Sequence, residues 1–302
     1  MFKSKNSMSR ALVRRETTAG YLFLLPSLFF FVTFVLYPMF LCIYTSFFDS
    51  NMGKNAVDVF VGLGNYKELF QDKLFLGALK NTVVIVVVAV PTVCAFSLWV
   101  ATAIYDMKPA LTSAFRCIFY LPVVTGSVAV TVVWKWMYNS RYGVFNYVFK
   151  SLGIIDQNIN WLGDARFALW CIILILFTTS VGQPIVLYVS ALGNVDHSLV
   201  EAAQVDGANR RQVFWKIKWA QIMPTTLYIL IITTINSFQC FALIQLLTSG
   251  GPTHSTDTIM YYIYYTAFKL YRYGYGNAMG VVLMIIIAVL SAVQFKLGQQ
   301  SD

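Results

Sequence analysis

Charge is scarce in this sequence. Only 12% of its 302 residues are Asp, Glu, Lys or Arg, about half the share a soluble domain usually carries. With 58% hydrophobic residues and a mean hydropathy of +0.65, the chain reads as an integral membrane protein. Histidine is scarcer still: His197 and His254 are the two present. No HExxH pair offers itself to zinc, no GxSxG to an acyl group, and no G-x-x-x-x-G-K-[ST] loop to a nucleotide phosphate. An enzyme is therefore not expected, nor is ATP binding through such a loop, which leaves transport or scaffolding. The five cysteines, Cys42, Cys94, Cys117, Cys171 and Cys240, all lie in apolar runs without metal-ligand spacing. They read as buried free thiols acting as small hydrophobes.

What the chain has in plenty is apolar sequence in lengths that suit a bilayer, ~20 residues at a time. Six such runs cover 20–48, 78–105, 111–137, 165–190, 221–247 and 277–296. Pro26, Pro38, Pro91, Pro122, Pro184 and Pro224 fall within them or at their edges. Membrane helices keep such breaks where neighbouring protein re-satisfies the freed carbonyls, so a packed bundle of kinked helices is expected. Lys3, Lys5, Arg10, Arg14 and Arg15 before the first run imitate a secretory signal. That run exceeds the ~7–15 residues of a signal core, and no A-x-A site follows it, so it reads as a retained span.

The net charge of +9 reads as topology rather than nucleic-acid affinity. Basic residues gather in the tail, at Lys108 and Arg116, at Arg210, Arg211, Lys216 and Lys218, and at Lys296. The intervening segments mix theirs with Asp49, Asp58, Glu68, Asp72, Asp156, Asp164 and Asp257. This bias predicts cytoplasmic N- and C-termini, with a basic tail at 1–19 and a six-helix domain at 20–302. No charged side chain falls clearly in mid-span, where one would cost ~2.5–3.5 kcal/mol, which weighs against a proton pump or ion channel. Lys135, between Trp134, Trp136 and Tyr138, reads as snorkelling in an aromatic belt.

One polar interruption is too long for a mere connector: EAAQVDGANRRQVFWKIKWAQIMP, residues 201–224. By composition it could be a basic amphipathic helix lying on anionic lipid. Its order, however, is specific. Glu201–Ala202–Ala203, Asp206–Gly207–Ala208, Phe214, Ile217 and Pro224 resemble the EAA signature of membrane subunits of bacterial ABC importers. The family usually carries a proline where this chain has Ala220. Two further segments, 142–164 with its closing Trp-Leu and 243–280 with its TSGGPTHST and YIYYTAF runs, are similar to the carbohydrate-importer permeases of the maltose type. The likeness spans nearly everything after the basic tail.

That resemblance implies an all-α membrane protein with the six-helix fold of type I importer permeases. It implies a second permease subunit, two separate ATPase subunits that bind ATP and Mg, and an extracytoplasmic solute-binding protein delivering sugar at the bacterial plasma membrane. No cofactor is expected in this chain. The loop at about 191–220 would carry a coupling helix docked on an ATPase, with Glu201, Ala202, Ala203, Asp206, Gly207 and Ala208 at the contact. Gly207 would permit either a positive φ or close backbone approach. The same machinery with a non-sugar cargo, such as a glycerol phosphodiester, is the alternative.

A sugar needs hydrogen-bond partners and flat apolar faces in a concave site. Two polar clusters inside apolar runs offer them: Thr178–Thr179–Ser180 with Gln183, and Thr233, Asn236, Ser237 and Gln239. Gln183, Thr233, Asn236 and Ser237 are the candidate contacts, and the resemblance places sugar contacts in these two regions. Serine and threonine can instead bond back to their own helix. Gly182, beside Pro184, reads as a packing or kink residue, and Gly250–Gly251–Pro252 as a loop.

Overall fold

The computed structural model describes residues 3–50 and 58–299. The basic tail's side chains before Glu16 lie outside the described residues. In hydrocarbon every backbone N–H and C=O must be satisfied internally, so long apolar runs become helices. Five helices are long and apolar enough to cross a membrane, and a sixth span arises if one bent pair is taken together.

The first span joins α1 (Lys3–Phe31), a π-helical turn (Val32–Leu36) and α2 (Tyr37–Thr45), the wide turn directly preceding Pro38. None of its apolar window is buried within this chain. A small hairpin of β1 (Phe48–Asp49) and β2 (Val59–Phe60) sets Phe48 opposite Phe60 and leads to α3 (Gly64–Gln71). α4 (Lys73–Ile104) is the central helix; Asp72 caps it by accepting from the Leu74 amide at 2.8 Å.

The third apolar run is not one straight span. α5 (Pro109–Val124) and α6 (Ser127–Met137) meet at Thr125–Gly126 and bend by 95°. α7 (Val144–Ser151) follows, and then α8 (Ala168–Ser180) and α9 (Gly182–Gly193), interrupted only at Val181. Ser97 of α4 donates to the Val181 carbonyl at 3.2 Å, serving the interruption from a neighbouring helix. Gly182 lets α9 press against α5, since a β-carbon there would meet the Phe119 carbonyl oxygen. Of the two readings of this glycine, packing describes its place.

The polar segment begins with α10 (His197–Val205) and re-enters the bundle through α11 (Arg210–Val213). A π-helical turn (Phe214–Lys218) then continues into α12 (Trp219–Phe238), with Ala220 in its first helical turn. The fifth run breaks again before α13 (Ala242–Leu247); α14 (Ile259–Phe268) and α15 (Tyr273–Gln299) complete the chain. The core sits where α4 meets α9 and α12, burying Val93, Val100, Ile185, Tyr188, Ile222 and Ile229. A second cluster joins Leu69, Phe75, Phe238, Tyr262, Tyr275 and Met279.

The segments that carry the family likeness owe their pattern to packing. Asn146 accepts from the Ile159 amide at 3.1 Å and the Trp161 indole at 3.0 Å, and donates to the Ile159 carbonyl at 2.9 Å, closing the 142–164 loop on itself. Asn81 donates to the carbonyls of Ser255 and Asp257 at 3.1 and 3.0 Å, anchoring the glycine–proline loop to α4. Asp72 also accepts from the hydroxyls of Tyr262 and Tyr275 at 2.7 and 2.8 Å, while Arg272 meets Glu68 through two parallel bonds. Burial alone would raise the Asp72 pKa. The two tyrosines and the Leu74 and Phe75 amides outweigh it, and the carboxyl is lowered.

One expectation is corrected. Only Cys171 and Cys240 are buried; Cys42 and Cys94 are half-buried and Cys117 is exposed on α5, because an apolar run in a membrane protein has an outward face as well as a core face. The aromatics around Lys135 also divide. Trp134 and Tyr138 stack inward on Phe145, while Trp136 faces out beside the exposed Lys135.

Candidate functional site

Two places in the fold gather the polar residues singled out from the sequence. The first is a cavity of about 170 Å³ between α8, α9 and α12. Thr179, Ser180, Gln183, Thr233 and Asn236 line it, together with Val123 from α5. Helix periodicity accounts for the meeting. Ser180 and Gln183 lie three residues apart across the Val181 interruption, as do Thr233 and Asn236 on α12. Gln183 and Asn236 are exposed at its mouth and Thr233 is buried. Ser237 does not line it; one residue further round the helix, that side chain turns into the core and is 2% exposed. Gln239 lines a neighbouring cavity instead.

The second place is the segment between α9 and α12. Asp196 caps α10, accepting from the Ser198 amide at 2.9 Å and its hydroxyl at 2.7 Å, and these bonds lower its pKa. At the other end the Gly207 amide donates to the Gln204 carbonyl at 3.0 Å and the Ala208 amide to the Ala203 carbonyl at 2.9 Å. That pair of bonds is a Schellman closure, with glycine at the left-handed position. Gly207 has φ +83° and nothing within 4 Å of where a β-carbon would stand. Of the two uses foreseen for this glycine, the isolated chain requires the backbone conformation and leaves the space open.

Asn209 and Gln212 then start the next helix with a reciprocal capping box, at 2.8 and 2.9 Å. Glu201, Ala202, Asp206 and Gly207 are all exposed, Ala203 and Ala208 are half-buried, and among the described residues no ion pair engages Glu201 or Asp206. Val205 is 87% and Leu199 50% exposed, so the short helix presents apolar and acidic side chains together. Behind it lies a cavity of about 550 Å³ lined by Asp106, His197, Arg210 and Lys218, with the Lys218 ammonium 4.3 Å from the Tyr105 ring centroid. Burial raises the Asp106 pKa against the opposing pull of Arg210 and His197. Among the described residues no group of His, Cys, Asp and Glu could hold a metal.

A bundle of broken spans with a cavity at one break, and a capped, exposed helix beside it, fits the membrane subunit of a transporter. Residues 21–299 match the family described as binding-protein-dependent transport system inner membrane component, and the chain belongs to that family. It is a permease and not an enzyme. The lactose transport system permease protein LacF of Rhizobium radiobacter is 32% identical over 94% of this chain and 95% of its own length. The multiple sugar-binding transport system permease protein MsmF of Streptococcus mutans is 32% identical over 94% and 96%. The sn-glycerol-3-phosphate transport system permease protein UgpA of Agrobacterium fabrum is 28% identical over 91% and 93%. Among solved structures, a subunit of a bacterial alginate ABC transporter, in complex with its alginate pentasaccharide-bound periplasmic protein, superposes with a TM-score of 0.80 at 24% identity, covering 93% of each chain. This likeness bears on the fold.

Proposed function

We propose that this subunit passes a sugar or oligosaccharide across the bacterial plasma membrane as one of two different permease chains, driven by two separate ATPase subunits and supplied by an extracytoplasmic binding protein. The observation that carries the reading is the convergence of Gln183, Thr233 and Asn236 on one cavity at the interruption of α8–α9. Amide and hydroxyl groups there can trade hydrogen bonds with sugar hydroxyls, and Val123, Leu187 and Ile232 supply the apolar walls. Coupling falls to α10 and its closing turn, with Glu201, Ala202, Ala203, Asp206, Gly207 and Ala208 meeting the ATPase. Both termini lie in the cytoplasm in this arrangement.

The test is purification of the intact complex with its binding protein, followed by uptake in proteoliposomes. Asn236→Leu or Gln183→Leu removes amide partners that an apolar site cannot replace, a loss of ~1–3 kcal/mol per unmatched hydrogen bond. Apparent affinity for the cargo should fall accordingly while the complex still assembles. Unchanged uptake by both variants would place the cargo elsewhere, and absence of any ATPase from the purified complex would end the transport reading altogether.

A further inference from the structure

We propose that the cargo is electrically neutral at physiological pH: an uncharged oligosaccharide or polyol, and not a phosphate ester, a sulfonate or a uronate. This rests on the transport reading above and narrows it.

The cavity at Gln183 and Asn236 is one of three that adjoin. Thr179 lines all of them. One, of about 300 Å³, follows the inside of the 95° bend as far as Trp134. Another, of about 340 Å³, reaches Gln239 and Phe241 in the gap between α12 and α13. Together they trace this chain's share of a path past the breaks between α5 and α6, α8 and α9, and α12 and α13. No Asp, Glu, Lys, Arg or His among the described residues lines any of the three. Arg116 on α5 and Lys135 on α6 stand on helices that border the path, yet neither reaches it.

This neutrality is local. The cavity behind α10 is lined by Arg210, Lys218, His197 and Asp106, so the same chain does surround a void with charge where it faces the polar segment.

Hydroxyl geometry strengthens the point. Thr125 donates to the Leu121 carbonyl at 2.8 Å, Thr178 to Ile175 at 2.8 Å, and Thr179 to Ile175 at 3.0 Å. With their protons committed to the main chain, these hydroxyls offer lone pairs to the path. Such acceptors suit a cargo rich in O–H donors. The other lining side-chain donors, the amides of Gln183, Gln239 and Asn236, the hydroxyls of Ser127, Ser180 and Thr233 and the Trp134 indole, carry no charge. An anion moved from water into such surroundings forfeits its hydration without gaining a cation, which is the unfavourable case for buried charge. Trp134 and Phe241 add aromatic surface to the lining. The scaffold itself does not decide the matter, since one relative is named for sn-glycerol 3-phosphate and a similar structure for the acidic polysaccharide alginate.

The experiment has two readings. The importer is purified with its binding protein from cells supplied with mixed neutral, phosphorylated, sulfonated and carboxylated carbohydrates, and the ligand released on denaturation is weighed and its charge determined. A neutral carbohydrate is expected; a phosphorylated, sulfonated or carboxylated ligand overturns the proposal. A neutral ligand that is not a carbohydrate would topple the sugar reading and leave neutrality standing. In proteoliposomes supplied with that ligand, the near-isosteric Asn236→Asp should lower uptake by no more than about tenfold, the loss of one donor, and added salt should leave the ratio of variant to wild type unchanged. Uptake abolished by Asn236→Asp and restored by salt would show a charged cargo repelled by the new carboxylate, and the proposal would fall.

Discussion

Gly207 offers a sharp test because its surroundings separate two explanations that usually travel together. Its φ of +83° lies in the left-handed region, and the space around a β-carbon there is empty within 4 Å. An L-residue therefore meets strain but no clash inside this chain. The left-handed conformation costs a side-chain-bearing residue roughly 1–2 kcal/mol, with asparagine penalised least. The strain can be relieved only by opening the closure made by the Gly207 and Ala208 amides, each bond worth about 0.5–1.5 kcal/mol. For Gly207→Ala the properly closed turn should thus lose about 5–30-fold in population relative to its alternatives. In the reconstituted importer, uptake and cargo-stimulated ATP hydrolysis should fall together in the order Gly, Asn, Ala, Val. Insertion into the membrane should be unaffected, since the turn is exposed and its loss exposes no core. Full activity of Gly207→Ala would refute the role given to the turn. Gly207→Asn performing worse than Gly207→Ala would show that room for a docked partner, rather than φ, is what the glycine provides.

Other predictions follow from the same structure. Cysteine placed at Gln212 should react with a membrane-impermeant thiol reagent only from the cytoplasmic side and one at Asn158 only from outside; labelling of both from one side would overturn the topology. Gly182→Val drives a branched side chain into the Phe119 carbonyl and Val123, so it should destabilise the packing of α9 on α5 by about 1–3 kcal/mol, read as a lower unfolding temperature in detergent; an unchanged midpoint would mean that the helices separate freely. Glu201→Lys should weaken ATPase retention less than Gly207→Val does, because an exposed pair is worth little; equal loss would mark the carboxylate as desolvated at the interface. Asp72 has a lowered pKa, so its contribution is complete above the unfolded value of about 3.9 and is lost as pH falls through the folded one. The stability gap between wild type and Asp72→Asn should therefore be constant near neutrality and close only in acid; a gap that widens as pH falls would contradict the tyrosine latch.

The spans were legible because bilayer-length apolar runs leave few alternatives. Their breaks were not. Residues 111–137 read as one run since Thr125, Gly126 and Ser127 barely interrupt the hydropathy, although a glycine between two hydroxyl residues is where a helix readily stops. Gln183, Thr233 and Asn236 stood out as polar groups amid hydrocarbon, and helix periodicity alone brings them together. Ser237 looked equivalent in sequence, but one residue is about 100° of helix, enough to turn a side chain from cavity to core. The reciprocal bonding of Asn209 and Gln212 was present in the spacing N-R-R-Q and could have been read as a capping box. The bond from Tyr275 to Asp72 joins residues 203 apart in sequence, and no local pattern announces such a partner.

The coincidence of the breaks has a consequence for how this protein can be probed and how it can change. Where α5 yields to α6 and α12 to α13, helix ends interrupt the i→i−4 ladder, whereas at Val181 the ladder continues through the Val181 and Ile185 amides. These ends border the adjoining cavities. Main-chain groups present the same dipoles whatever side chain is attached, so a substitution survey would under-report their share of cargo contacts. If cargo passes these cavities, replacing side chains around them would retune which cargo is preferred, while main-chain contacts would persist.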